Sequence, residues 1–245
     1  GIVGESGSGK STLARAILGL TPLSSGHITF GGIDLAQQRT AGLAKLRREA
    51  AMVFQDPYNA LNPRLTIGDM LTEVLKVQGK VASANIPARV GELLDLVGLE
   101  REFAKRRPRS MSGGQCQRAG IARALAVDPQ LIIADECVAA LDVTIQAQII
   151  ELFRELTRKM NLTLLFIAHD LAIVRNLCER TVVMYRGEIV EEGPSEEVFA
   201  RPKHPYTASL IAAIPDIDPN KQLFADTDLR GENNVAEILP FKRVP

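Results

Sequence analysis

The 245-residue chain reads as an α/β fold, a mainly parallel sheet covered by helices and interrupted by a helical insertion. Three observations carry that reading. Apolar runs bounded by Gly, Pro and Asp alternate with stretches of helical period, the pattern that strand–helix–strand units leave in a sequence. Runs such as Leu131-Ile132-Ile133-Ala134 are apolar without alternation, which suits strands buried on both faces. From Asp56 to Pro108 the pattern is helical, with no clear strand.

In chain order, Ile2-Val3 is a short apolar strand segment that opens into a Gly/Ser-rich loop, and Ser11 to Leu20 then carries a helical period. His27 to Phe30 and Ala51 to Phe54 are strand-like. Asp56-Pro57 marks the entry to the insertion, with helical stretches at Thr66 to Val77 and Pro87 to Val97 and a basic exit at Arg106-Arg107-Pro108-Arg109. A helix over Gly114 to Ala126 leads to the strand Leu131 to Ala134. The alternation continues with a helix over Val143 to Met160, a strand over Leu162 to Ala168 and a helix over Leu171 to Leu177. Thr181 to Tyr185 and Glu188 to Glu191, joined by Arg186-Gly187, read as a hairpin. After about Asp216 the chain is polar, with isolated apolar positions at Phe224, Ile238 and Leu239 that follow no period.

Composition narrows the function classes. The 29 Lys and Arg balance 29 Asp and Glu, which argues against a globally basic nucleic-acid binder. Aromatics make up 4% of the chain, too few for an aromatic-girdled barrel or a base-stacking platform. The 46% hydrophobic share argues against disorder, and no apolar run is long enough to cross a bilayer. Cys116, Cys137 and Cys178 are odd in number and far apart, a poor basis for a disulfide framework or a zinc site. Scattered free thiols favour a reducing compartment, the cytoplasm. His27, His169 and His204 are equally unpaired in the sequence, and His27 and His204 read as structural.

The chemistry begins at Gly4-Glu5-Ser6-Gly7-Ser8-Gly9-Lys10-Ser11, which matches the phosphate loop G-x-x-x-x-G-K-[ST] without a substitution. Glycines let successive backbone N–H groups turn toward phosphate oxygens, and the helix that starts at Ser11 and Thr12 adds its positive end. Lys10 is placed to reach the β- and γ-phosphates of a nucleotide, and the Ser11 hydroxyl to ligate Mg²⁺. A plain Gly/Ser linker is the competing reading, and the flanking strand and helix patterns argue against it. Asp135-Glu136 then closes the buried strand Leu131 to Ala134. Two carboxylates at such a strand end suit a Walker-B segment, with Asp135 holding Mg²⁺ mostly through water and Glu136 polarising the attacking water as general base.

With those residues in place, the sequence resembles the nucleotide-binding subunits of ATP-binding cassette (ABC) transporters, a P-loop NTPase fold. The most specific piece is Ser110-Met111-Ser112-Gly113-Gly114-Gln115, similar to the family signature LSGGQ with Met for Leu. In the family's order come Gln55 after Met52-Val53-Phe54 (Q-loop), Ala140-Leu141-Asp142 (D-loop) and His169 after Leu165-Phe166-Ile167-Ala168 (H-switch). The resemblance implies catalytic roles for Glu136, His169 and Gln55, with His169 at the γ-phosphate and Gln55 approaching the metal. It also implies nucleotide contacts from Ser112, Gly113, Gly114, Gln115 and Asp142. It divides the chain into residues 1–56 (core with phosphate loop and Gln55), 57–112 (helical subdomain ending in the signature), 113–203 (rest of the core) and 204–245 (C-terminal extension and tail). Ser112, Gly113 and Gly114 at a helix start form a second anion-binding end. The family joins the two ends in a head-to-tail dimer of ATPase subunits, with each ATP between one phosphate loop and the other signature.

Phe54 to Asp69, Gly113 to Leu125, Ala140 to Ile149 and His204 to Pro215 look like the dipeptide/oligopeptide import subgroup. That likeness implies an ATPase on the cytoplasmic face of the inner membrane, serving two permeases and, indirectly, an extracytoplasmic solute-binding protein. The stretch Asp56 to Arg64 would face the membrane partner. The alternative is a soluble cassette acting on nucleic acid or ribosomes through Arg101, Lys105, Arg106, Arg107 and Arg109; the neutral net charge favours a solvated face there, and no nucleic acid is expected. Two positions depart from the subgroup: Cys137 stands where Pro is usual, which is expected to loosen Glu136 slightly, and Ala139 stands where Ser is usual. ATPase activity is nevertheless expected. Cys137 reads better as a small buried hydrophobe than as a redox-sensitive thiol. The start at Gly1, inside the strand that feeds the phosphate loop, reads as an N-terminally truncated cassette. Its early β segments and adenine-stacking aromatic would lie upstream, and it would be poorly stable and bind ATP weakly.

Overall fold

A computed structural model describes residues 1–37 and 39–213; the tail expected beyond Asp216 lies outside them. The elements follow the expected alternation. β1 (Ile2–Val3) feeds α1 (Lys10–Ile17), and a small hairpin of β2 (Thr29–Phe30) and β3 (Ile33–Asp34) precedes α2 (Arg39–Glu49) and β4 (Ala50–Val53). The helical stretch holds α3 (Ile67–Gln78), α4 (Ile86–Leu96) and the start of α5 (Gly113–Leu125). Then come β5 (Leu131–Asp135), α6 (Val143–Met160), β6 (Thr163–Ile167), α7 (Leu171–Leu177), β7 (Arg180–Tyr185), β8 (Glu188–Pro194), α8 (Ser195–Ala200) and α9 (Pro205–Ala212).

Six strands form one sheet in the order β4-β5-β6-β1-β7-β8, parallel except for β8. The continuous apolar strands are where double-sided burial was expected: Ile132, Ile133 and Ala134 of β5 and Phe166 and Ile167 of β6 are fully buried. α6 covers the sheet with Ile149, Leu152, Phe153 and Leu156, spaced as one helical stripe. α3 begins at a capping box between Thr66 and Asp69, and its apolar face joins those of α4 and α5 in the same core. No described helix is long and apolar enough to cross a membrane.

Three elements differ from the sequence pattern. The strand expected over His27 to Phe30 shortens to β2 and pairs only with β3, across Gly31 and Gly32, both at positive φ. α2 is charged along much of its length and shows no clear apolar period, yet Leu46 is fully buried, so tertiary packing holds the helix. α9 starts at Pro205 behind His204, whose Nδ1 accepts a hydrogen bond from the Tyr206 amide at 3.2 Å.

Candidate nucleotide-binding site

Strand register brings the distant motifs to one edge. Val53 of β4 lies opposite Ala134 of β5, Asp135 opposite Ile167 of β6, and Ile167 opposite Ile2 of β1. Gln55, Glu136, His169 and Gly4 therefore leave the C-terminal ends of four neighbouring parallel strands at nearly one level. That crevice is where open α/β sheets take ligands.

The loop from Gly4 to Ser11 is shaped by its glycines. A Cβ on Gly4 would sit 2.1 Å from the Met184 carbonyl oxygen, so no larger residue fits. Gly7 and Gly9 hold φ of 82° and 101°, the left-handed region that glycine enters without strain. Gly9 is the N-cap of α1 and no side chain caps that end, which leaves its first backbone donors for an acceptor from outside. Lys10 is buried, and its Nζ donates to the carbonyls of Gly4 (2.9 Å) and Glu5 (2.8 Å) while lying 3.8 Å from Glu136 Oε1. The buried Ser8 hydroxyl has no hydrogen-bond partner in the described structure. Glu5, Ser6, Gly7 and Thr12 are exposed.

The acidic strand end meets this loop. Ser11 Oγ donates to Asp135 Oδ1 at 3.0 Å. Burial pushes the Asp135 carboxyl above its ordinary value, the Ser11 hydrogen bond opposes that shift, and the neighbouring Glu136 charge adds to it. His169 Nδ1 lies 3.2 Å from Glu136 Oε1, and a cavity of about 180 Å³ opens against this pair, walled by Ala139, Ala168 and Gln146. Glu136 has φ 47°, which costs an L residue energy. Its backbone is pinned on both sides, by the bond from its N–H to the Ile167 carbonyl (2.9 Å) and by the bond from the Ala139 N–H to its own carbonyl (3.0 Å). The looseness expected from Cys137 is thus opposed by the backbone. Cys137 itself is buried and its thiol is pushed up to about 12 by that burial, an unreactive small hydrophobe.

The signature surface is separate. Ser112 caps α5: its Oγ accepts from the Gln115 amide (3.3 Å), and Gln115 Oε1 accepts from the Ser112 amide (2.9 Å). Gln115 is therefore a capping-box partner, a role the S-x-x-Q spacing carries and the motif reading passes over. A Cβ on Gly114 would lie 2.7 Å from Ile145 Cγ2 of α6, so this glycine serves close helix packing, whereas Gly113 has ordinary room beside Leu141. Asp142, exposed, is the N-cap of α6 and its side chain makes no cap bond. Among the described residues no hydrogen bond or ion pair joins Ser112–Gln115 or Asp142 to the phosphate loop.

Gln55 is exposed on the loop after β4, between exposed Phe54 and Tyr58. Asp56 Oδ1 accepts from the amides of Tyr58 and Asn59 and shapes the turn. The Tyr58 hydroxyl donates to the Met111 carbonyl at 3.1 Å, and Arg123 donates to the Ala60 carbonyl, so this loop is tied to the signature segment. Neither contact has a sequence signal, because both are long-range side-chain bonds to backbone. Of the basic run, Arg101 pairs with Asp95, while Lys105, Arg106, Arg107 and Arg109 line an open hollow with Arg64.

A family model described as "ABC transporter" matches residues 1–139, more than half of the chain. The chain belongs to the ABC transporter family. A second model, "Oligopeptide/dipeptide transporter, C-terminal region", matches residues 190–239 of this cassette. The cassette is 51% identical over 221 residues to the glutathione import ATP-binding protein GsiA of Pectobacterium atrosepticum, covering 90% of this chain and 36% of that protein. It is 47% identical to a putative peptide import ATP-binding protein of Brucella ovis, covering 90% of this chain and 69% of that one. The chain thus spans about a third of the length of the first relative. Among solved structures, a dimeric ATP-binding cassette in a post-hydrolysis state bound to ADP and Pi superposes with a TM-score of 0.70 at 34% identity, over 79% of this chain and 84% of that one. The α/β cassette fold and the family expected from the motifs both stand.

Proposed function

We propose that the chain binds and hydrolyses ATP to energise a membrane importer, for di- or oligopeptides or a related small solute. One observation carries the reading: Lys10, Ser11, Asp135, Glu136 and His169, far apart in sequence, converge at one sheet edge around an uncapped helix start. The buried ammonium and the open α1 amides suit the phosphates. Ser11 and Asp135 present hard oxygen donors that would hold Mg²⁺, with Gln55 on the loop after the neighbouring strand as a further candidate, and the ion would neutralise charge on phosphate oxygens. Lys10 exchanges its two carbonyl partners for β- and γ-phosphate oxygens. Glu136 takes the proton from the attacking water, and His169, 3.2 Å away, orients that carboxylate and reaches the γ-phosphate.

The separate signature surface needs a second subunit, in the head-to-tail pairing with Ser112, Gly113, Gly114, Gln115 and Asp142 facing the partner's nucleotide. The dimeric, ADP-bound structural neighbour supports this arrangement. The match over residues 190–239 and the importer names of the relatives support the peptide-type assignment, with two permeases and an extracytoplasmic binding protein as partners and the inner membrane's cytoplasmic face as location. Exposed Phe54 and Tyr58 beside Gln55 suit a permease contact. The test is steady-state Mg-ATPase activity against a Glu136→Gln control, followed by co-purification with multi-spanning permeases. A rate equal to the control overturns the enzymatic part, and association with ribosomes or DNA instead of permeases overturns the transport part.

A further inference from the structure

We infer that Tyr206, on the C-terminal helix α9, is a positioning residue for the phosphate loop and raises the affinity for MgATP; this rests on the nucleotide-binding reading above. One peptide group at the head of the loop is held at both ends. The oxygen of the Gly4–Glu5 peptide accepts from Lys10 Nζ at 2.9 Å, and the N–H of the same peptide donates to the Tyr206 hydroxyl at 3.0 Å, across 201 residues of sequence. That peptide sets the direction in which the loop leaves β1, and Gly4 is already held by close approach to the Met184 carbonyl. When Lys10 turns to phosphate oxygens, the oxygen end of the peptide loses its ammonium partner. The Tyr206 bond is the contact that persists.

Tyr206 is itself firmly placed. Its ring lies against Tyr185 with centroids 4.2 Å apart, and the Arg186 guanidinium covers the other tyrosine at 5.1 Å. The same hairpin turn touches the loop directly, the Gly187 N–H donating to the Ser8 carbonyl at 3.1 Å. The start of α9 is clamped to β8, because the Glu191 carboxylate accepts from the amides of Lys203 (2.9 Å) and His204 (3.0 Å). Burial pushes the Tyr206 phenol up, against the opposing effect of the Glu5 N–H, so the group stays a neutral hydroxyl at physiological pH. A C-terminal segment matched by its own family model thereby reaches the nucleotide loop.

The test is calorimetric titration of MgATP into the full chain and its Tyr206→Phe variant, with Lys10→Ala as the control for the nucleotide site and with amide exchange read at Glu5. Losing one hydrogen bond that orients the loop is expected to raise Kd about three- to tenfold and to speed exchange at Glu5. At saturating ATP the turnover should stay within about twofold of the parent, since the hydroxyl touches no reacting atom. An unchanged Kd overturns the inference, as does a fall in turnover with KM unchanged. If the parent chain binds no nucleotide and Lys10→Ala is indistinguishable from it, the nucleotide reading fails; exchange at Glu5 then decides alone, faster in Tyr206→Phe supporting the brace and unchanged overturning it. Should Tyr206→Phe fail to fold, Glu191→Ala, which frees the start of α9, carries the same expectation of a raised Kd, and an unchanged value overturns it.

Discussion

The molecule has two glycine-rich helix starts, at α1 and at α5, and they are built in opposite ways. At α1 the N-cap is a left-handed glycine with no side-chain cap, and a buried ammonium stands beside two carboxylates at the neighbouring strand end. At α5 the N-cap is a serine closed by a reciprocal bond to Gln115, and its second glycine is filled by Ile145 of α6. The first end is left incomplete and charged, which suits it to take an anion by itself. The second already satisfies part of its own backbone and, among the described residues, holds no buried cation. In the proposed site it would add to a phosphate held elsewhere. That asymmetry favours the proposed pairing with a second subunit, and the shared glycine-rich composition hides it.

The largest effect expected lies at the charged end. Glu136→Gln removes the proposed base, and hydrolysis should fall about 10²- to 10⁴-fold while the MgATP Kd measured by calorimetry stays near the parent value. A variant that loses binding together with hydrolysis would put Glu136 in the loop's architecture and blur the contrast. Next, Lys10→Ala takes the only buried cation from the α1 end among the described residues and should weaken MgATP binding about 100-fold, read in the same titration. If binding survived, the uncapped amides alone would suffice and the two helix starts would be less different than they look.

Smaller effects probe the other end. Ser112→Ala breaks the α5 capping box and should cost about 1 kcal/mol in urea unfolding. The subunit's own MgATP Kd should stay unchanged, while ATP-dependent dimerisation, followed by sedimentation, weakens. A shift in the monomer Kd would place the signature in the same subunit's site. The smallest expected change is Asp135→Asn. The folded-state pKa of Asp135 is raised by burial, so the folded chain holds that proton more tightly than the unfolded one does. Its contribution to stability is present below the ordinary carboxylate pKa and is lost as pH rises through the raised value. Nucleotide-free Asp135→Asn should therefore melt higher than the parent at pH 7, with the gap closing as the pH falls to the ordinary carboxylate range.

How much of this was legible depends on the range of the forces involved. The phosphate loop could be read because Gly7 and Gly9 need backbone angles that few residues adopt, a local demand written in local sequence. β5 could be read because burial on both faces leaves Leu131 to Ala134 without a polar position. α6 matches its expected bounds at both ends. The register that brings Gln55, Glu136, His169 and Gly4 to one edge has no local signature, although order along the chain implies it once the strands are granted. α2 escaped because Leu46 is held by packing and the helix carries no apolar stripe. Gly114, read for its open amide, also packs closely against Ile145 of α6, a contact with no local sequence signal. Tyr206 and Tyr58 could not be found at all, since each acts through a hydroxyl bonded to backbone far away in sequence.

The left-handed backbone at Glu136 has one more consequence. Holding an L residue there costs on the order of 1–2 kcal/mol, whereas Gly occupies the region freely and Asn at reduced cost. Neither of those side chains can take a proton from water. Relief of the backbone and retention of the proposed base therefore pull in opposite directions at this one position, and Glu136→Gly should ease the fold while abolishing hydrolysis.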